Sequence, residues 1–399
     1  MNMENYKLFR SPQLTVYGRD AFNQVGSETA LRGKRALIVS DRIMEGLGYI
    51  ERCIKSLKEQ NIESVTYIGV KSEPYDKYVD EALSLFDENN CDIILSLGGG
   101  SCIDTAKAVA VVATNGGYIG DYMGGKKMAT VPSVPHIAIP TTAGTGSEAT
   151  DVTVITNLSN DEKMMIKQPA FMPEVAIVDP LLTMSSPAKV TAATGVDALC
   201  HAVEAYLSKR AQPLTDTLAL SAITLIVANL KRAYENPKDV EAREGMSIGS
   251  MYAGMAFSNA SVGLVHGMSR PIGALFNVPH GESNAMLLPA VLDFSREECM
   301  DRLAVIGRIF SEEATQMDND EASKFAVEQI RILCSDLGIP NLKYWGIEQD
   351  KFESVINKMA VDALNSGSPG NNPRVPSQQE IEELYRTCYD YQFSGSAIS

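Results

Sequence analysis

The chain has 399 residues, long enough for two domains that each bury a core. It is 45% apolar and 21% charged, the composition of an ordinary globular protein, which excludes fibrous and largely disordered classes. A net charge of −15 repels phosphate backbones and anionic headgroups, so neither nucleic acid nor a membrane surface is an expected partner.

The first half alternates two signals. Buried-strand patterns at 34–41 (KRALIVSD), 64–70, 91–100, 136–142 and 174–180 are interleaved with helical spacing over 50–60, 78–89 and 103–114. Such alternation predicts an α/β domain over residues 1–186, built on a mainly parallel sheet. The tripeptide SSP (185–187) marks a change, with Ser186 expected as a helix cap and Pro187 at the first helical position. From there, helical patterns at 213–236, 240–257, 296–310 and 319–338 predict an all-α domain over 187–399, with a Pro/Gly/Asn loop at 367–377 before the last helix. No run of 18 apolar residues occurs, so no membrane span is expected, and the N-terminus lacks the apolar core of a signal peptide. The seven cysteines form no C-x-x-C pair and are odd in number. They read as reduced thiols of a cytoplasmic protein, not as a disulfide framework or zinc ribbon.

Two loops at predicted strand ends could hold a ligand. LSLGGGSCIDTAKA (95–108) places glycines between a strand and a helix, where backbone amides and the helix start favour anions. The same stretch also reads as a plain turn, closed by a capping box of Ser101 and Asp104. It is not G-x-G-x-x-G, so the usual Rossmann fingerprint is missing. PTTAGTGSEAT (140–150) is either a second ligand loop or a flexible surface loop, and α/β sheets bind ligands at such strand ends. Asp41 ends the first confident strand. It can accept from ribose hydroxyls, or simply cap a helix.

Only four histidines occur. Asp197 and His201 are four apart in TGVDALCHAVEAY (194–206), on one helical face, as a metal chelate or as a hydrogen-bonded pair. His266 and His280 share the stretch GLVHGMSRPIGALFNVPHGE (263–282). Pro271 and Pro279 argue against an unbroken helix, so His266 is expected on a helix and His280 on a loop folded back toward it. Three imidazoles and one carboxylate would suit Zn²⁺ or Fe²⁺ with a position open for substrate. His136, in a strand, is left as structural or cofactor-adjacent.

These motifs, in order, resemble the iron-dependent, group III alcohol dehydrogenases over nearly the whole chain: GGGSCIDTAK, IPTTAGTGSE, AIVDP, ATGVDALCHAVEAY and GLVHGMSRPIGALFNVPHGESNAMLLP. The resemblance implies an α/β nucleotide-binding domain followed by an all-helical metal domain, the architecture shared with dehydroquinate synthases. It implies NAD-linked oxidation of a small alcohol, or reduction of an aldehyde, by a homodimer or larger homo-oligomer. It implies metal ligation by Asp197, His201, His266 and His280, with Fe²⁺ or Zn²⁺. Gly98, Gly99, Gly100 and Ser101 would hold the pyrophosphate, and Asp41 would favour NAD over NADP. Thr141, Thr142, Thr145 and Lys163 would line the rest of the dinucleotide, and Asp104 and Phe257 would lie near nicotinamide and substrate. One departure stands out: many members carry a further histidine where this chain has Arg270. A guanidinium stays protonated and cannot relay protons near neutral pH. Arg270 either points away from the site or attracts a substrate carboxylate or phosphate, as in a hydroxy acid such as 4-hydroxybutyrate. Polyol oxidation of the glycerol dehydrogenase kind and a dehydroquinate synthase-like lyase are the remaining alternatives.

Overall fold

The computed structural model describes residues 6–71, 73–160 and 162–393. Two compact units emerge: Phe9–Ser186, and Pro187 onward together with the residues up to Leu8.

The first unit holds a six-stranded sheet of β1 (Leu14–Tyr17), β2 (Arg35–Asp41), β3 (Glu63–Val70), β4 (Ile93–Gly98), β5 (His136–Pro140) and β8 (Val175–Val178), in the order β1-β8-β5-β4-β2-β3. Every neighbouring pair is parallel. Helices α1 (Val25–Ala30), α2 (Arg42–Gly46), α3 (Tyr49–Glu59), α4 (Asp76–Glu88) and α5 (Gly100–Asn115) are its crossovers and covers. Alternate residues of one strand feed two separate apolar clusters. Ala36 and Ile38 of β2 join Ile93, Leu95 and Leu97, whereas Leu37 and Val39 join Ile94 and the buried face of α5. Burial on both faces is why these strands read as continuous apolar runs.

Three strands were absent from the sequence reading, as were short helices such as α1 and α2. β1 is a short edge strand with little apolar signal. β6 (Val152–Asn157) and β7 (Glu162–Lys167) form a separate antiparallel hairpin. The expected capping box of Ser101 and Asp104 does not form either. Gly99 occupies the N-cap of α5 and no side chain caps it. Asp104 instead faces the hairpin, with Oδ2 accepting the Val154 N–H at 2.9 Å.

The second unit is helical: α6 (Ala188–Leu207), α7 (Pro213–Glu235), α8 (Val240–Ala260), α9 (Leu264–Phe276), α10 (His280–Ser295), α11 (Met300–Phe310), α12 (Asn319–Asp336), α13 (Leu342–Trp345), α14 (Gln349–Asn365) and α15 (Gln378–Tyr389). Pro187 is the N-cap of α6 and not its first residue, so Ser186 is no cap. The pattern at 296–310 divides at Cys299 into a 3-10 turn and α11. α7 is long and apolar enough to cross a membrane by length and composition alone, although it contains no run of 18 apolar residues. Its stripe of Ala219, Ala222, Ile223, Ile226, Leu230 and Ala233 is nevertheless buried. All seven cysteines are buried and unbridged.

Charges are buried behind the loops of the first unit. Lys107 donates from Nζ to Thr150 Oγ1 (2.9 Å) and to the Val152 carbonyl (2.7 Å), and lies 4.0 Å from Asp104 Oδ1. Glu148 is 3% exposed. Burial raises its carboxyl from 4.5 to about 7, against its own backbone N–H and the Lys107 cation. The native state therefore keeps a proton that the unfolded chain releases. The stabilisation is complete below about 4.5 and is lost as pH rises through about 7. The gap corresponds to roughly 3 kcal/mol, at about 1.4 kcal/mol per pH unit. Glu148→Gln is expected to flatten this component of the pH dependence of urea unfolding. Parallel pH profiles for the two proteins would refute the assignment.

Candidate functional site

α6 is apolar almost throughout, yet it carries Asp197, His201 and Glu204 at spacings of four and three, which align them on one face. α9 contributes His266. His280 is the first residue of α10, after a break at 277–279, and so opens a helix instead of lying on a loop. One ligand atom from each of Asp197, His201, His266 and His280 lies within 4.8 Å of all the others. His266 Nε2 is 3.7 Å and His280 Nε2 4.0 Å from Asp197 Oδ1. Asp197, His201 and His266 are buried, whereas the His280 side chain is 40% exposed.

The electrostatics favour a cation. Burial alone would raise the Asp197 carboxyl, but the three imidazoles and an amide hydrogen bond from Asn284 outweigh it and hold it below its ordinary range. Burial drives His266 well below its ordinary value, helped by His201 and Arg270 and opposed by Asp197. A neutral ring with a free lone pair beside a charged carboxylate is the protonation state that divalent cations require. His201 Nδ1 is buried without a hydrogen-bond partner. The donor set thus fits Fe²⁺ or Zn²⁺.

Supporting groups surround the cluster. Glu204 Oε2 contacts His266 Nδ1 closely, and Glu204 Oε1 accepts the Val265 N–H at 2.6 Å. Burial raises the Glu204 carboxyl to about 7, against these backbone donors. A carboxylate on the far nitrogen of an imidazole fixes ring orientation and tautomer. Glu204 escaped the sequence reading, although an acid in register with Asp197 and His201 on an apolar helix was a usable signal. Phe257 of α8 stacks on His201, with ring centroids 4.3 Å apart and 17° between planes. His201 in turn stacks on His266 at 4.5 Å. Arg270 sits one turn beyond His266 on α9 and is partly buried. Burial lowers its guanidinium, the nearby Glu204 opposes this, and its charge is felt at His266. Its charge is therefore close enough to act on both Glu204 and His266.

In the α/β unit, the predicted cofactor residues other than Lys163 gather at the carboxyl ends of the adjacent strands β5, β4 and β2, where such sheets bind ligands. The Thr141 N–H donates to the Gly98 carbonyl at 3.0 Å, tying the two loops together. A Cβ on Gly100 would lie 2.9 Å from Thr145, one on Gly99 3.6 Å from Thr142, and one on Gly98 2.6 Å from Cys102 Sγ and 3.5 Å from Asp41 Oδ2. No side chain caps α5, and a helix start of this kind favours an anion. Ser101 is the second residue of this helix. Asp41 does cap α2, with Oδ1 accepting from Ile43 (2.8 Å) and Met44 (2.9 Å), while Oδ2 stays beside the glycine turn. Asp104 braces α5 against β6. Lys163 lies on β7, ion-paired with Glu73 at 3.0 Å. His136 opens β5, at the opposite end of the sheet from the glycine turn, and bonds Ser96 Oγ at 2.8 Å.

Comparison with known proteins agrees with this arrangement. Residues 12–180 match the family described as iron-containing alcohol dehydrogenase, and residues 191–389 match the C-terminal region of the Fe-containing alcohol dehydrogenase family. The chain is 38% identical to 1,3-propanediol dehydrogenase of Citrobacter freundii, covering 96% of this chain and 100% of that protein. It is 37% identical to the NAD-dependent methanol dehydrogenase of Bacillus methanolicus, covering 95% and 99%. The crystal structure of a 1,3-propanediol oxidoreductase superposes with a TM-score of 0.93 at 38% identity, covering 96% and 100%. The chain belongs to the iron-containing alcohol dehydrogenase family, and it is an oxidoreductase of the alcohol dehydrogenase class.

Proposed function

We propose that this protein is an NAD-dependent dehydrogenase that uses Fe²⁺ to interconvert a small primary alcohol and its aldehyde. The convergence of Asp197, His201, His266 and His280 carries the reading, and relatives named for 1,3-propanediol and for methanol support it. When bound, the cation would supply Lewis acidity to the substrate oxygen, and the nicotinamide would exchange hydride with the adjacent carbon. Asp197 offsets the ion's charge inside a desolvated pocket. Glu204 and Phe257 hold His266 and His201 in fixed orientations. The amides of Gly99, Gly100 and Ser101 receive the pyrophosphate, with Thr141, Thr142 and Thr145 beside them. Asp41 accepts from ribose hydroxyls and repels a 2′-phosphate. We place the protein in the cytoplasm as a homo-oligomer, on its unbridged cysteines for the former and on family likeness for the latter.

A second reading concerns the substrate's charge. Arg270 keeps its positive charge, and that charge acts on His266 and Glu204 of the cluster. An aldehyde or alcohol that bears a carboxylate gains from that charge, and a neutral one does not.

Three outcomes are expected. His280→Ala loses metal affinity by more than about 100-fold, beyond what loss of a supporting partner costs, and turnover falls with it while NADH binding is unchanged. Full turnover of this variant in the presence of chelator would remove the metal from the mechanism. Asp41→Ser preserves a capping residue for α2 and raises the NADP-to-NAD ratio of kcat/KM about tenfold, the equivalent of roughly 1.4 kcal/mol. An unchanged ratio takes Asp41 out of cofactor choice. Arg270→Ala lowers the preference for semialdehyde acids over neutral aldehydes of equal length about tenfold. If the wild-type enzyme has no such preference, the anionic reading fails. Net NADH formation from an alcohol separates all of these from a lyase.

A further inference from the structure

The carboxyl edge of the sheet continues past Asp41. That residue ends β2 and pairs in register with Val70, the last residue of β3. Glu73 follows three positions later. Three residues of chain span at most about 11 Å, so its backbone stays at this edge. The next residues dock on the hairpin. The Pro74 carbonyl accepts the Thr156 N–H at 2.7 Å, Tyr75 bridges the same residue, and Asp76 Oδ1 accepts the Leu158 N–H at 3.3 Å. Thr156 lies opposite Lys163 in the β6–β7 register. The Glu73 carboxylate thus meets the Lys163 amine, 3.0 Å away.

The hairpin does not need this ion pair to hold it. The two side chains are 34% and 19% exposed, and pairs so placed contribute little to stability. The backbone bonds above, and the one from Val154 to Asp104, already fix the strands. The consequence of the pair is electrostatic. Water screens the charge of Lys163 less than that of the exposed Lys71 beside Val70. Arg42, next to Asp41, is likewise matched by Glu45 at 2.9 Å. Strand order places β3 on the far side of β2 from the glycine turn of β4. A dinucleotide with its pyrophosphate on that turn and its ribose at Asp41 extends its adenosine end toward β3. A 2′-phosphate would add about 1.5–2 negative charges there, and an unanswered ammonium would attract it.

We propose that Glu73 is a second determinant of cofactor choice, the counter-ion that keeps Lys163 from a 2′-phosphate. The proposal rests on reading this edge as the site of NAD, with Asp41 as the first determinant. Asp41 acts by repulsion at the ribose itself. Glu73 acts through Lys163. While the pair is closed, the cation that NADP could use is already answered, and opening the pair costs much of what the phosphate would gain. NAD carries a hydroxyl at that place and loses nothing.

The test measures dissociation constants of NADH and NADPH, which differ only by the 2′-phosphate, from nicotinamide fluorescence on titration into the purified protein. The wild type should bind NADPH more weakly. Glu73→Gln should shift the ratio of the two constants at least about tenfold toward NADPH. High salt should shrink that shift, because it screens charges near the surface. Glu73→Asp keeps the carboxylate and should keep the wild-type ratio. Lys163→Met, added to Glu73→Gln, should remove the gain. Thermal unfolding shows whether each variant is folded, and Glu73→Asn takes the place of a glutamine variant that is not. An unchanged ratio in the folded protein would overturn the proposal and leave the pair a mere tie between loop and hairpin. So would equal tightening of both nucleotides, which assigns Lys163 to the part they share, and so would a gain that survives Lys163→Met. A wild type that binds NADH and NADPH alike has no preference for Glu73 to support, which also overturns it. One that binds neither refutes the dinucleotide reading of this edge itself.

Discussion

A carboxylate with almost no access to water governs the helical unit. Asp197 is 2% exposed, and an ionised group so placed is prohibitively unstable unless its surroundings answer it. Three ring nitrogens and one amide do so. Satisfying this one group requires helices far apart in sequence to meet: α6 with the acid, α9 and α10 with imidazoles, and α8 with the ring that buttresses His201. The same requirement explains why Glu204 must be near His266, and why α10 needs a glycine where it crosses α6. The contacts that stabilise the fold here are the ones that would hold an ion.

The α/β unit solves a different problem. Its ligand loops consist largely of glycine and threonine, which have little intrinsic stiffness. Rigidity comes from beneath. Lys107, on the buried side of α5, joins that helix to the segment leaving the second loop, and Asp104 ties it to the hairpin. Asp104, a candidate for chemistry, also helps to hold the loops' foundations through its bond to Val154.

Much of this was legible in the residues. The apolar runs at 34–41 and 91–100 could only be strands buried on both faces, and they proved to be central ones. The regular spacing after residue 213 gave helices within a few positions of their observed limits. Ser101 and Asp104 misled because a capping pattern in sequence says nothing of a hairpin waiting to claim the acid. β1 was invisible because an edge strand of four residues, with Tyr17 facing solvent, buries too little to show a pattern. Among the site residues, the four candidate ligands stood out by rarity and spacing. Glu204 and Asn284 did not, because an acid or amide within an apolar helix acquires meaning only once a neighbour from elsewhere in the chain is in place.

The partial exposure of His280 has a kinetic consequence. Three of the converging side chains lie in the interior, so an ion's shortest way in or out runs past the one ring that meets solvent. An ion held by these four side chains would meet solvent first at this ring. Metal content is then a property of handling as much as of sequence: buffers that compete for ions, dissolved oxygen and dialysis time all act on the occupant. Preparations of one and the same polypeptide can differ in specific activity while being identical by every measure of folding.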